Sequence, residues 1–72
     1  MHELDTCGLD CPMPLLKAKQ ALNSMQSGEQ LRVRATDPGS RRDFRVFAEQ
    51  SGHPLLESSE DNGVFVYVLQ KR

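Results

Sequence analysis

The sequence predicts a two-layer α/β sandwich in the order βαβαββ, with a four-stranded mixed sheet covered on one face by two helices. Three observations carry this expectation. Helical apolar periodicity occurs twice, over 12–27 and 40–51. Alternating or wholly apolar strand patterns occur at 31–36, 54–60 and 64–69, with a short strand ahead of them at 2–6. Finally, Asp61-Asn62-Gly63 joins the last two strands as a hairpin, since Asn-Gly suits a type I′ turn. The first crossover is expected to be right-handed. The 72 residues form one expected domain, 1–72, burying about 60% of the unfolded surface.

In the first strand, His2 to Thr6, Leu4 faces the core. Cys7 to Asp10 then lead to a helix from Pro12 to about Ser27. Leu15, Ala18, Ala21, Leu22 and Met25 form its apolar stripe. Gly28 is placed to close that helix. Met13 lies opposite the stripe with Lys17 and Gln20, where it serves either a docking surface or helix-end packing. Leu31, Val33 and Ala35 alternate with Arg32, Arg34 and Thr36, the pattern of a half-buried strand. Asp37-Pro38-Gly39 is a turn. Ser40-Arg41-Arg42-Asp43 has capping-box spacing, with Asp where Glu is usual. The second helix runs to about Ser51 over a core stripe of Phe44, Phe47 and Ala48, and Gly52 ends it. Pro54 to Glu60 is the third strand. Val64 to Leu69, apolar on both faces, is expected to be central. The sheet face away from the helices carries Arg32 and Arg34 beside an apolar row, a candidate contact surface.

Nine basic and ten acidic residues leave a net charge of −1. That balance gives no general pull toward nucleic acid or anionic membrane, and direct nucleic-acid binding is not expected. No apolar run reaches the roughly 18 residues of a membrane span, and the polar N-terminus carries no signal-peptide pattern. The expectation is a cytoplasmic monomer without membrane association. Its small core leaves no room for a cofactor cage, so no cofactor is expected. In a reducing compartment the two cysteines point to reactive thiols rather than a structural disulfide.

The chemistry concentrates at Cys11-Pro12-Met13-Pro14. Pro12 is suited to the first helical position, which needs no N–H. Cys11 then falls at the N-cap, beside the free amides of the first turn. These amides and the helix dipole favour an anion, so a lowered thiol pKa is expected there. Asp10 opposes that effect. Arg41, Arg42 and Arg45 share a flank of the second helix, either as a solvated face or as a landing patch for an acidic protein.

The run Leu4-Asp5-Thr6-Cys7-Gly8-Leu9-Asp10-Cys11-Pro12-Met13-Pro14 resembles the start of the TusA family, also called SirA-like or YedF-like, of small bacterial sulfur carriers. Gly-Leu-x-Cys-Pro-x-Pro is the family pattern, and Asp37-Pro38 resembles its later Asp-Pro. The resemblance covers essentially the whole chain and implies the same fold. It implies a sulfurtransferase-type carrier that relays a persulfide on Cys11. The donor would be a protein such as a cysteine desulfurase or rhodanese, and the acceptor another protein. Pro12, Met13, Pro14, Lys17, Asp37, Arg41, Arg42 and Arg45 are the expected docking residues. Family members acting in tRNA thiolation tend to have Arg before the motif cysteine and Glu between the prolines. Here Asp10 and Met13 occupy these positions, so the pathway stays open.

Two other chemistries use the same residues. Cys7 and Cys11 could form a dithiol redox or regulatory pair if their Cα atoms come within about 7 Å. Cys7 would otherwise be a small, partly buried apolar residue. A zinc site from Cys7, Cys11, His2 and His53 would need four converging ligands, and the spacing matches no usual pattern. No metal is therefore expected.

Overall fold

The computed structural model describes residues 1–72. Strand β1 (His2–Thr6) is followed by helix α1 (Met13–Asn23), strand β2 (Gln30–Ala35), helix α2 (Ser40–Ser51) and strands β3 (Leu55–Asp61) and β4 (Val64–Gln70). The sheet order is β1-β2-β4-β3. β1 and β2 pair in parallel across the α1 crossover, and β4 runs antiparallel to both β2 and β3. The expected element order and mixed sheet are both present. β4 is internal because a strand with two apolar faces needs a neighbour on each edge and cover on its faces.

Alternation along the strands sorts side chains onto the two faces. On the helix side Leu31 lies opposite Leu69, Val33 opposite Tyr67 and Ala35 opposite Phe65. These six join Ala18, Leu22, Met25 and Phe44 in one buried cluster, with Leu4 and Leu15 packed at its margin. Phe44 stacks on Tyr67 with ring centroids 4.5 Å apart and planes 14° from parallel. The Tyr67 hydroxyl meets Ser40 Oγ at 2.7 Å, so neither buried hydroxyl lacks a partner. This pair ties the first turn of α2 to the central strand.

On the open face Arg32 lies opposite Val68 and Arg34 opposite Val66. The two arginines also reach across to Glu3 and Asp5 of β1, at 3.3 and 3.4 Å. Exposed pairs of this kind add little stability and weaken with salt. The β3–β4 hairpin turns through Asn62 at φ 52° and Gly63 at φ 82°. Two successive positive φ values are what a type I′ turn requires, as the Asn-Gly pair predicts.

Both helix starts differ from the sequence expectation. α1 begins at Met13, not Pro12, and Pro12 is its N-cap at φ −97° and ψ 16°. Cys11 therefore sits one residue before the cap, and the Cys11–Pro12 peptide is cis. The reason for the later start is a turn: Met13 N–H donates to Asp10 O at 2.8 Å. α2 has no capping box. Gly39 is its N-cap, and no side chain bonds to the helix end. Ser40 is taken by Tyr67, and Asp43 by Cys11.

The end of α1 also differs. It stops at Asn23 because Ser24 N–H and Oγ both turn back to Ala21 O, and Met25 N–H to Leu22 O. These shorter steps tighten the last turn and close the helix. Gln26 N–H then goes to Glu29 Oε1, and Gly28 N–H goes to Lys71 O. Gly28 thus joins the loop to the chain's last residues rather than closing the helix.

Candidate functional site: the Cys11 loop and its carboxylates

Residues 7–12 cross from the end of β1 to the start of α1. Gly8 N–H donates to Thr36 Oγ1 at 2.8 Å, and Leu9 N–H to Thr6 O at 3.2 Å. The first contact pins the loop to the end of β2, next to the turn that starts α2. Thr6 itself is buried and donates to Arg34 O at 2.6 Å. The loop is therefore tied to the sheet by hydrogen bonds that involve the Thr6 and Thr36 hydroxyls, and Cys7 and Cys11 are exposed on it. Both thiols are free and exposed.

Cys11 Sγ donates to Asp43 Oδ2 of α2 at 2.9 Å. This contact spans 32 residues and is the one long-range side-chain bond the thiol makes. It reverses an expectation. The thiol pKa is pushed up from its ordinary value, first by the hydrogen bond to Asp43, then by partial loss of water, then by the charges of Asp43 and Asp37. A bond donated by the neutral thiol favours that neutral form. The helix amides expected to offset such effects are scarce. Pro12 and Pro14 have no N–H, and that of Met13 is given to Asp10 O. The Cys11 thiol is thus held protonated by a carboxylate from a distant helix, while the neighbouring Asp10 makes no bond to it.

Asp37 sits deeper than a docking residue would. Its Oδ2 is buried with no hydrogen-bond partner. Gly39 keeps the space beside it open: a Cβ there would lie 3.2 Å from that oxygen and 3.9 Å from Cys11 Cβ. A carboxylate oxygen, a bare backbone and the thiol's own carbon are therefore neighbours. Cys7 lies elsewhere on the loop. Its N–H donates to Asp5 Oδ1 at 2.9 Å, and the Asp5 carboxylate pushes its thiol pKa up.

The expected docking residues divide. Lys17, Arg41, Arg42 and Arg45 are exposed, as is Pro12, and Met13 keeps 39% of its surface in solvent. Pro14 is fully buried and so is not free to meet a partner. Arg42 and Asp43 also line a groove of about 350 Å³ with Leu15, Lys19, Val46, Phe47 and Gln50. Lys19 Nζ lies 5.5 Å from the centre of the Phe47 ring there, within cation–π reach. Its lining thus includes Asp43, whose carboxylate holds Cys11.

The four candidate zinc ligands do not meet. His2 Nε2 pairs with Glu29 Oε2 at 3.3 Å, and His53 Nδ1 accepts Arg72 N–H at 3.0 Å. No three His, Cys, Asp or Glu side chains converge on one point. No helix is long and apolar enough to cross a membrane. Asp43 is the site residue that sequence reasoning missed. Its capping-box position pointed to a backbone partner. The available signal was its identity, Asp rather than Glu, which is too short to reach back along the helix in the usual way.

An exposed thiol before a proline-capped helix, on a four-stranded sheet backed by two helices, defines a class of small thiol proteins with a known relative in structure. The crystal structure of a SirA-like protein from Desulfitobacterium hafniense superposes with a TM-score of 0.84 at 30% identity, covering 97% of this chain and 96% of that one. The family profile described as Sulfurtransferase TusA matches residues 2–71. The sulfur carrier protein TusA of Allochromatium vinosum is 54% identical over 70 residues, 97% of this chain and 92% of that protein. The sulfur carrier protein TusA of Pseudomonas putida F1 is 42% identical over 69 residues, 96% of this chain and 86% of its own. The chain belongs to the TusA sulfurtransferase family.

Proposed function

We propose that this protein is a sulfur carrier that holds a transferable sulfur as a persulfide on Cys11. The observation that carries the reading is an exposed, free thiol at the start of α1 in a chain 54% identical to a sulfur carrier protein. A donor protein persulfide presents its terminal sulfur, and Cys11 Sγ attacks it as thiolate. The donor's S–S bond breaks as the Cys11 S–S bond forms. The proton lost from Cys11 ends on the donor's thiolate, so the exchange is redox-neutral. The reverse exchange at an acceptor cysteine discharges the carrier. A cysteine desulfurase or a rhodanese is the proposed donor type, in the cytoplasm. Met13, Lys17, Arg41, Arg42 and Arg45 are the proposed docking surface, supported by the exposure of all five and the positive charge of the last four.

The test is sulfur loading by a desulfurase with cysteine, read by mass spectrometry of peptides. Cys11 should gain one sulfur. Cys11→Ser should abolish the gain, and Cys7→Ser should keep most of it. Replacing the three arginines with Glu should slow loading and weaken its salt dependence. A Cys7–Cys11 disulfide in the oxidised protein, with both Ser variants equally inactive, would replace the carrier with a dithiol switch.

A further inference from the structure

Asp43 touches the reacting sulfur but belongs to another element, and the sulfur exchange itself does not use it. Its oxygen lies 2.9 Å from Cys11 Sγ, and no other hydrogen bond occupies its side chain. Its position is set firmly from behind. Phe44, the next residue, is fully buried and stacked on Tyr67, and Ser40 one turn earlier bonds the Tyr67 hydroxyl. We propose that Asp43 is a positioning residue that docks the empty carrier's Cys11 as a neutral thiol and releases the sulfur-loaded form.

The physical basis is a difference in protons. The empty thiol has one to donate, and the carboxylate accepts it. A persulfide is a stronger acid than its parent thiol, so near neutral pH its terminal sulfur is an anion with no proton to give. That anion meets two carboxylates. Asp43 lies on one side, and Asp37, whose buried oxygen has no partner, lies behind the glycine gap. The charges that act on Cys11 from the elements packed against it, Asp37 and Asp43, are both negative. The other side of Cys11 is solvent. The loaded sulfur is therefore turned outward, toward an acceptor, while the empty thiol is held against Asp43 in its less nucleophilic neutral form. No bond beyond the exchange itself is made or broken. The loaded half of this inference rests on the carrier reading, and the empty half does not.

The test uses the full chain with Cys7→Ser, so that Cys11 is the one thiol. Iodoacetamide alkylation is followed over a pH series, on the empty protein and on protein loaded chemically with glutathione persulfide. Asp43→Asn keeps the shape and removes the charge. Losing the Asp43 charge lowers the Cys11 pKa and puts more of it in the thiolate form, a gain partly offset because a less basic thiolate is a weaker nucleophile. The empty form should therefore react about threefold faster near pH 7, with the loaded form unchanged. The loaded-to-empty ratio falls by the same factor, and Asp43→Glu should restore most of it. On unmutated Asp43, raising the salt should screen both carboxylates and lower the empty thiol's pKa. An unchanged empty-form rate in Asp43→Asn, or equal acceleration of both forms, overturns the inference. A Cys11 that takes up no sulfur sinks the carrier reading and the loaded half with it. The empty-form arm reads Asp43 in either case.

Discussion

Cys7 and Cys11 share one loop, both are exposed, and each has a carboxylate beside it. They differ in where the carboxylate comes from. The partner of Cys7 is Asp5, two residues earlier, and Asp5 is itself engaged by Arg34 at 3.4 Å. That carboxylate is held below its ordinary pKa, first by the Cys7 contacts and also by Arg34. The partner of Cys11 comes from a helix 32 residues away and has no cation on it. Cys7 therefore titrates inside a local, salt-neutralised pair. Cys11 titrates against a charge that only the assembled core delivers. Two thiols four residues apart on one loop are thus controlled differently, one by its sequence neighbours and the other by the fold.

The sharpest way to break this contrast is to loosen the core under α2. Phe44→Ala removes a fully buried ring stacked on Tyr67 and should cost about 3–5 kcal/mol, read by urea unfolding. In the folded fraction Cys11 should lose its dependence on Asp43, while Cys7 keeps its own dependence on Asp5. Equal disturbance of both thiols would mean that the loop, and not α2, sets Cys11.

Tyr67→Phe is a smaller probe of the same link. It leaves the buried Ser40 hydroxyl without its partner and should cost about 1–3 kcal/mol. The ring stack survives, so Cys11 alkylation should change less than in Phe44→Ala. A cost near zero would mean that Ser40 finds another acceptor and that the tether is not needed to place α2.

The smallest effect is expected at Asp5. Asp5→Asn should lower the Cys7 thiol pKa and speed its alkylation near neutral pH, leaving Cys11 alone. The same change bears on stability at high pH. Both thiols have raised pKa values in the folded chain, so their neutral forms contribute below the unfolded thiol value of about 8.5. That contribution is lost as pH rises through the folded values. Thermal unfolding should therefore shift downward in alkali, and Asp5→Asn should make the shift shallower. A variant whose alkaline slope matches the parent would remove Cys7 from the balance.

Much of the fold was legible because short-range rules governed it. The period-two run Leu31-Val33-Ala35 can bury one face only, and Asn62-Gly63 can turn only one way at low cost. The doubly apolar Val64–Leu69 run required an internal strand, and β4 is internal. The helix ends were less legible. Pro12 and Gly28 carried plausible signals for a start and a stop. The Asp10 turn displaced the first, and the shortened bonds at Ser24 and Met25 ended the helix before the second could act.

By itself the sequence determined the layer architecture, the exposed Cys11 and the family, since these follow from periodicity, turn chemistry and a local motif. Tertiary structure decided the state of the thiol. Residues 11, 37 and 43 have no regular spacing that would announce a contact, and Asp43 read locally as a helix cap. Packing Phe44 onto Tyr67 and closing the Ser40 bond rotate α2 so that Asp43 meets Cys11 and not the backbone. The hydrogen bond then raises a pKa that the isolated loop would have left near its ordinary value or lowered. A thiol's titration depends on the charges and donors within a few ångströms of it. Which groups come that close is fixed by the pairing of distant elements, and a one-dimensional pattern does not contain that distance.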